Sequence, residues 1–228
     1  MTEEEWERSL HRGPMLNYLQ DRISERKFRL FAVACCRRQW NLFPPVPHRK
    51  VIKAAEQFAD GVGTVEELGA MAEPLRRITN STDCSPSTVQ WHVARAAEYV
   101  TQPVGISTCE VALRVAACLS EAVSGRLHVY RREFDPEPDP EEYQQISLLH
   151  DIAGNPFRPE IIDSNWLTST VVAMARRAYQ SRDFSLMPIL ADALEDAGCD
   201  NPDILNHCRG AGSHMRGCYV IDLVLGKK

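Results

Sequence analysis

The residue types best suited to chemistry are concentrated near the end of the chain. Three cysteines and two histidines occur between positions 199 and 218, namely Cys199, His207, Cys208, His214 and Cys218. Thiolate sulfur and imidazole nitrogen are preferred zinc ligands, and a structural zinc site has four ligands in a tetrahedron. We expect only one of His207 and Cys208 to bind, because adjacent residues on a helix point in different directions. The candidate closed set is therefore Cys199, Cys208, His214 and Cys218, and zinc is the candidate cofactor.

The same residues are consistent with a structural metal, a catalytic metal or no metal. Four protein ligands would make the metal structural, whereas a position filled by water would make it catalytic. An interpretation without metal also exists, because the spacing matches no strong zinc template. Cys199 would then be the apolar contact after a helix stop at Gly198. Cys208 and Cys218 would be packing residues, and His207 would cap a helix C-terminus.

No reaction centre stands out in the sequence. A thiol dyad of Cys208 and His214 and a carboxylate pair of Asp192 and Glu195 can both be written down. Neither has an identifiable orienting partner or oxyanion site, which nucleophilic and acid–base catalysis require. We therefore assign no catalytic residue, and an enzyme with a zinc ion or a reactive thiol is the alternative.

The loop that precedes Cys218 is rich in glycine and carries two arginines. Glycines at positions 210, 212 and 217 would let backbone N–H groups approach an anion. Arg209 and Arg216 are therefore candidate anion-binding residues, and a turn without a ligand is the alternative.

Charge is distributed unevenly along the chain. The formal net charge is −5, yet residues 21–55 contain nine basic side chains and only two acidic ones. A basic face of this kind could contact the phosphates of a nucleic acid through Arg26, Lys27, Arg37 and Arg38. The alternative is internal pairing with acidic side chains, which are dense in residues 133–151. A sequence pI of about 5.8 and the lack of interleaved aromatic residues favour internal pairing.

Helix signals recur along the whole chain and set the fold class. Capping boxes, in which Ser or Thr is followed three residues later by Glu, occur at Thr2, Thr64 and Ser107. Ser24 is the expected N-cap of a long helix, and Pro86 is the expected first-turn residue of another. We predict an all-α, irregular bundle of about ten helices with little or no sheet.

Two segments lack clear helix signals. Cys218–Leu225 is apolar enough for a buried strand or a buried helix, and we favour a helix because a lone strand would leave its backbone groups unpaired. Residues 134–140 alternate proline with acidic residues, which is typical of an extended linker. This linker would separate an N-terminal helical part, residues 1–133, from a C-terminal part, residues 141–228.

Composition excludes several classes of protein. A chain with 44% hydrophobic and 25% charged residues is typical of a globular protein and not of a disordered one. No apolar run approaches the roughly 20 residues of a membrane span, and the acidic start is unlike a secretory signal. The other five of the eight cysteines are expected to pack in a reducing cytoplasm. We predict a cytoplasmic, non-enzymatic helical interaction or scaffold domain whose partner is another protein, without membrane contact.

Several segments together resemble a multi-copy family of bacterial proteins that we associate with planctomycetes. The segments that carry the resemblance are Arg29–Arg38, Gly154–Pro159, Leu190–Cys199, His207–Gly210 and Gly217-Cys218. Such segments sometimes accompany kinase-like or repeat domains. The resemblance implies an origin, and it implies no activity, ligand or catalytic residue.

Overall fold

The computed structural model describes residues 1–102, 107–124 and 139–228. Within these ranges the chain forms helices and contains no strand, which confirms the predicted all-α bundle. The α-helices, in chain order, are α1 (Glu3–Glu7), α2 (Arg12–Leu19), α3 (Glu25–Arg38), α4 (Lys50–Ala59), α5 (Val65–Ala70), α6 (Glu73–Thr79), α7 (Val89–Tyr99), α8 (Thr108–Ser124), α9 (Pro140–Ala153), α10 (Ser169–Ser181), α11 (Met187–Asp196), α12 (Pro202–Arg209) and α13 (Tyr219–Leu225).

Most helix starts follow the local capping signals. Thr2 and Thr64 form complete capping boxes, and the Ser24 hydroxyl accepts a hydrogen bond from a backbone N–H in the first turn of α3. The expectation for Pro86 was wrong. Helix α7 begins at Val89, three residues after Pro86, because the Thr88 hydroxyl accepts a hydrogen bond from the backbone N–H of Trp91 and so caps the helix there.

The chain divides into two compact units, Met1–Ile146 and Ser147–Lys228, which we call unit 1 and unit 2. The division falls inside α9. Residues 134–138 of the predicted linker lie outside the described residues, whereas Pro140 opens α9. The predicted boundary at 134–140 therefore stays a prediction.

Unit 1 is built around α3, whose apolar residues are buried over several successive turns. Helix α3 packs against α4 and α8, and α7 packs against α6 and α8. Phe31, Cys35 and Cys36 of α3 are fully buried, so these two cysteines behave as the packing residues that were expected. The apolar stripe of α3 therefore forms the centre of the core of unit 1.

Unit 2 has its own core, formed by α10 to α13. Helix α11 packs against α10 and α12, and α13 packs against α10 and α12. Buried apolar side chains of all four helices fill the space between them, among them Ala175, Leu190, Ile204 and Ile221. The segment for which strand and helix were both considered forms helix α13, as predicted. Across the described ranges, no helix combines the length and the apolar character that crossing a bilayer requires.

Candidate metal centre

Four potential metal ligands of unit 2 come together from α9, from α12 and from the loop between α12 and α13. Asp151 lies in the last turn of α9, His207 in the last turn of α12, His214 in the following loop, and Cys218 directly before α13. The Asn201 side chain accepts hydrogen bonds from the N–H groups of Asp203 and Ile204 and so stabilises the start of α12, the helix that carries His207.

A sharp turn delivers Cys218 to the start of the last helix. Gly217 has a φ of 96°, in the left-handed region that favours glycine. Cys218 then serves as the N-cap residue of α13. The backbone conformation that places the Cys218 thiol thus favours glycine at position 217.

The ligand atoms converge on one small volume. One atom from each of Asp151, His207, His214 and Cys218 lies within 4.8 Å of all the others. Asp151 Oδ1 is 3.1 Å from His207 Nε2 and 2.7 Å from His214 Nδ1. The Cys218 Sγ is 3.2 Å from His207 Nε2 and 4.0 Å from His214 Nδ1. We call these four residues the Asp-His-His-Cys cluster.

The cluster is enclosed by protein on most sides. The side chains of Asp151 and His214 are 5% and 7% exposed, and that of His207 is 18% exposed, while Cys218 is fully buried. His207 therefore forms the outer edge of the cluster.

Backbone contacts fix the orientation of the carboxylate. The N–H of Met215 donates to Asp151 Oδ2 at 3.1 Å, which leaves Oδ1 facing the two histidines. In the described part of the chain, Nε2 of His214 is buried and has no hydrogen-bond partner. The His214 ring is therefore held in the cluster through Nδ1. The contact from the Met215 N–H to Asp151 is of the kind that orients the ligands of many metal sites.

The ionisation of the cluster reflects burial and the histidines. Burial disfavours the Asp151 carboxylate, but hydrogen bonds and charge from His207 and His214 outweigh this effect and lower its pKa. Burial, and then the charge of Asp151, raise the pKa of the Cys218 thiol well above its ordinary range. Without a cation, this cluster thus pairs an ionised carboxylate with a neutral thiol.

The sequence prediction included three members of this cluster and omitted the fourth. His207, His214 and Cys218 were candidate ligands, whereas Asp151 was not considered as one. Asp151 is 63 residues before His214, and no local motif marks it. The only signal was its place near a helix end, three residues before the stop at Gly154, which many ordinary residues share.

Cys199 and Cys208 lie outside the Asp-His-His-Cys cluster. Cys199 follows Gly198 (φ of 91°), and its N–H donates to the Leu194 carbonyl at 2.9 Å. This is the Schellman arrangement, in which the residue after the glycine makes an apolar contact with the helix. Cys208 is fully buried in the core of unit 2. The structure therefore groups His214 and Cys218 with Asp151 and His207, and not with Cys199 and Cys208.

The arginines of the basic region make ion pairs inside unit 1. Arg26 pairs with Asp60 at 3.2 Å, and Arg38 with Glu141 at 3.3 Å. Arg37 binds both carboxylate oxygens of Glu56, at 2.9 and 2.5 Å. Lys27 is buried. These contacts correspond to the internal pairing that was considered beside nucleic-acid binding, and Glu141 belongs to the acidic stretch named as its source.

We expect Arg37→Gln to lower the free energy of unfolding by about 2 kcal/mol, because Glu56 loses a bidentate, charge-assisted partner. Glu56 is only 1% exposed in this pair. The measurement is urea denaturation followed by circular dichroism. Arg77→Gln is the matched control, since its pair with Glu73 is largely exposed and should contribute less than about 0.5 kcal/mol. Equal effects of the two substitutions would contradict a structural role for Arg37.

The two arginines of the glycine-rich loop also have protein partners. Arg209 contacts Asp192 at 2.9 Å and Glu195 at 2.5 Å. Arg216 donates from Nε to the Tyr179 carbonyl at 2.9 Å and lies over the Tyr179 ring. The carboxylate pair that was considered for catalysis is thus bound to an arginine on an exposed surface.

The fold and the cluster together define an all-α protein with a candidate metal centre in its C-terminal unit. No family model, curated protein or solved structure matches the chain. The resemblance to the planctomycete-associated family therefore stays a prediction, as does the cytoplasmic location. The geometry of the cluster is the basis for a functional proposal.

Proposed function

We propose that unit 2 binds one zinc ion through Asp151, His207, His214 and Cys218, and that the metal has a structural role. The observation that carries this proposal is the convergence of one oxygen, two nitrogens and one sulfur within 4.8 Å. Zinc bonds of about 2.0–2.3 Å place neighbouring ligands of a tetrahedron about 3.3–3.6 Å apart. The distances from Asp151 Oδ1 and Cys218 Sγ to the two histidine nitrogens run from 2.7 to 4.0 Å and so fall on both sides of that range.

The use of the histidine nitrogens supports a metal over a catalytic triad. In a triad the two ring nitrogens of one histidine bind different partners, the nucleophile and the carboxylate. Here a single nitrogen of His207, Nε2, faces both Asp151 and Cys218. His214 likewise directs only Nδ1 toward both groups. Nitrogens that all point toward a common centre are what a shared cation requires.

The thiol also lacks the properties of a nucleophile. Reactive cysteines are accessible and have a lowered pKa, whereas Cys218 is fully buried and its pKa is raised by burial and by Asp151. A divalent cation would reverse this effect, because a coordinated thiol loses its proton. The anionic Asp151 and Cys218 would then neutralise the two positive charges, which suits a buried site.

The ligand types favour zinc among common divalent ions. Magnesium and calcium prefer oxygen ligands, while mixed sulfur and nitrogen sets in a tetrahedron are typical of zinc. Four protein ligands leave no position for water or substrate. The ion would therefore have a structural role, linking the end of α9, the end of α12, the loop that follows it and the start of α13. We accordingly propose a non-enzymatic helical domain that serves as an interaction or scaffold module for another protein.

Metal analysis of the purified full-length chain tests this proposal. We expect about one zinc per chain after purification without chelators, because the four ligands come from one chain and form one site. After zinc removal, titration with Co²⁺ should give the visible bands of tetrahedral cobalt and a thiolate-to-metal charge-transfer band. A protein that contains no metal and gives no cobalt spectrum would refute the site.

A further inference from the structure

Tyr219 contacts the segments that carry the proposed ligands. It directly follows Cys218, and the centroid of its ring lies 4.4 Å from the centroid of the His207 ring, at an interplanar angle of 55°. Its hydroxyl donates to the carbonyl of Asp203 at 3.2 Å, in the first turn of the helix that carries His207. One aromatic residue thus holds α12 at two points, one of them the ring of a proposed ligand.

The third contact of Tyr219 is with the end of α9, close to Asp151. Gly154 has a φ of 64°. A Cβ built on Gly154 would lie 3.1 to 3.3 Å from the Tyr219 ring, closer than side chains ordinarily pack. A glycine is therefore required here both by the backbone conformation and by the approach of the ring. The turn that ends α9, three residues after Asp151, is packed directly on Tyr219.

We propose that Tyr219 is the positioning residue of the metal centre, and that Gly154 permits the close approach on which this role depends. The inference rests on the proposed zinc site and extends it beyond the four ligands. Tyr219 links α9, α12 and α13 and limits the movement of the His207 ring. A ligand held in its binding orientation before the metal arrives loses less conformational entropy when it binds.

Tyr219 itself is not a ligand in this scheme. Its hydroxyl is engaged by the Asp203 carbonyl, and its ring packs against that of His207. The influence of Tyr219 on the metal therefore passes through the orientation of His207.

Zinc affinity of substituted full-length proteins tests the positioning role. Tyr219→Leu removes the ring, and we expect zinc to bind about 10- to 100-fold more weakly, the range seen when outer contacts of ligands are lost. Tyr219→Phe retains the ring and should change the affinity by less than about 3-fold. Gly154→Ala keeps the tyrosine but places a Cβ against its ring and strains the turn that ends α9, and we expect about 10-fold weaker binding. Affinity is measured by competition with a chromophoric chelator.

A matched control separates positioning from a general loss of structure. Tyr179→Leu removes the other tyrosine of unit 2, which is buried and whose ring lies under Arg216 and Lys227. We expect it to lower the thermal stability of the metal-free protein and to leave the cobalt spectrum unchanged. Tyr219→Leu and Gly154→Ala should instead shift the cobalt bands, because the ligand field depends on the orientation of His207.

The outcomes distinguish this inference from the zinc proposal. If the unsubstituted protein binds zinc and Tyr219→Leu and Gly154→Ala bind it equally tightly, the positioning role is wrong and the zinc site stands. The role is equally wrong if Tyr179→Leu weakens zinc binding as much as Tyr219→Leu does at the same loss of stability. If the unsubstituted protein binds no zinc, both proposals fall.

Discussion

Asp151→Asn is expected to weaken zinc binding by at least about 100-fold, because it removes an anionic ligand and half of the negative charge that balances the ion. The amide keeps nearly the same shape, and its oxygen can still accept the N–H of Met215 that now binds Asp151 Oδ2. The loss should therefore reflect charge and coordination more than packing. Competition titration of the full-length protein with zinc measures it.

Two cysteines provide a matched pair for the same measurement. Both Cys208 and Cys218 are fully buried, but only Cys218 belongs to the Asp-His-His-Cys cluster. Cys218→Ser should weaken zinc binding by at least about 100-fold, whereas Cys208→Ala should keep one zinc per chain and lose only packing energy. Zinc loss with both Cys208→Ala and Cys218→Ser would contradict the ligand assignment and favour the set inferred from sequence, which contains both cysteines.

Removal of zinc is expected to destabilise unit 2. Free zinc at a thousandfold excess over its dissociation constant would raise the free energy of unfolding by about 4 kcal/mol, if only the folded protein binds it. The unfolded chain does not assemble this site, because Asp151 lies 63 residues before His214 and bringing the two together would require closing a long loop. Thermal unfolding with and without a chelator measures the effect.

Hydrogen exchange locates the same effect within the chain. Chelation should speed amide exchange in α12 and α13, which carry or adjoin ligands, and leave exchange in α3 and α8 of unit 1 unchanged. The Asp151→Asn variant is the control, because its amide exchange should be the same with and without zinc. Faster exchange in α3 and α8 to the same extent would contradict a metal role confined to unit 2.

The helices could be predicted from the sequence because their signals are local. Ser24 and Thr64 cap the helices that they were expected to cap, since a hydroxyl near free N–H groups needs no distant residue. The start of α7 was misplaced for the same reason, because Pro86 and Thr88 are both local start signals and the hydroxyl of Thr88 prevailed. Competition between neighbouring signals is the usual source of such small errors.

The candidate site could be predicted only in part. His207, His214 and Cys218 are near one another in sequence, so their residue types were enough to mark the segment. The sequence did not show which cysteine joins the histidines, because Cys199, Cys208 and Cys218 are all buried in the core of unit 2 and only Cys218 belongs to the cluster. Cys208 is directed into the core of unit 2 by the face of α12 on which it lies, while the neighbouring His207 points to the cluster.

The sequence by itself determined an all-α chain and the C-terminal segment in which the candidate metal centre lies. Capping residues, apolar periodicity and ligand types are local properties, and they can be recognised without knowing how helices pack. The tertiary structure decided that Asp151 completes the cluster and that the Tyr219 ring packs against His207. Those choices depend on which faces of α9, α12 and α13 meet, and the burial of apolar surface across unit 2 determines that meeting.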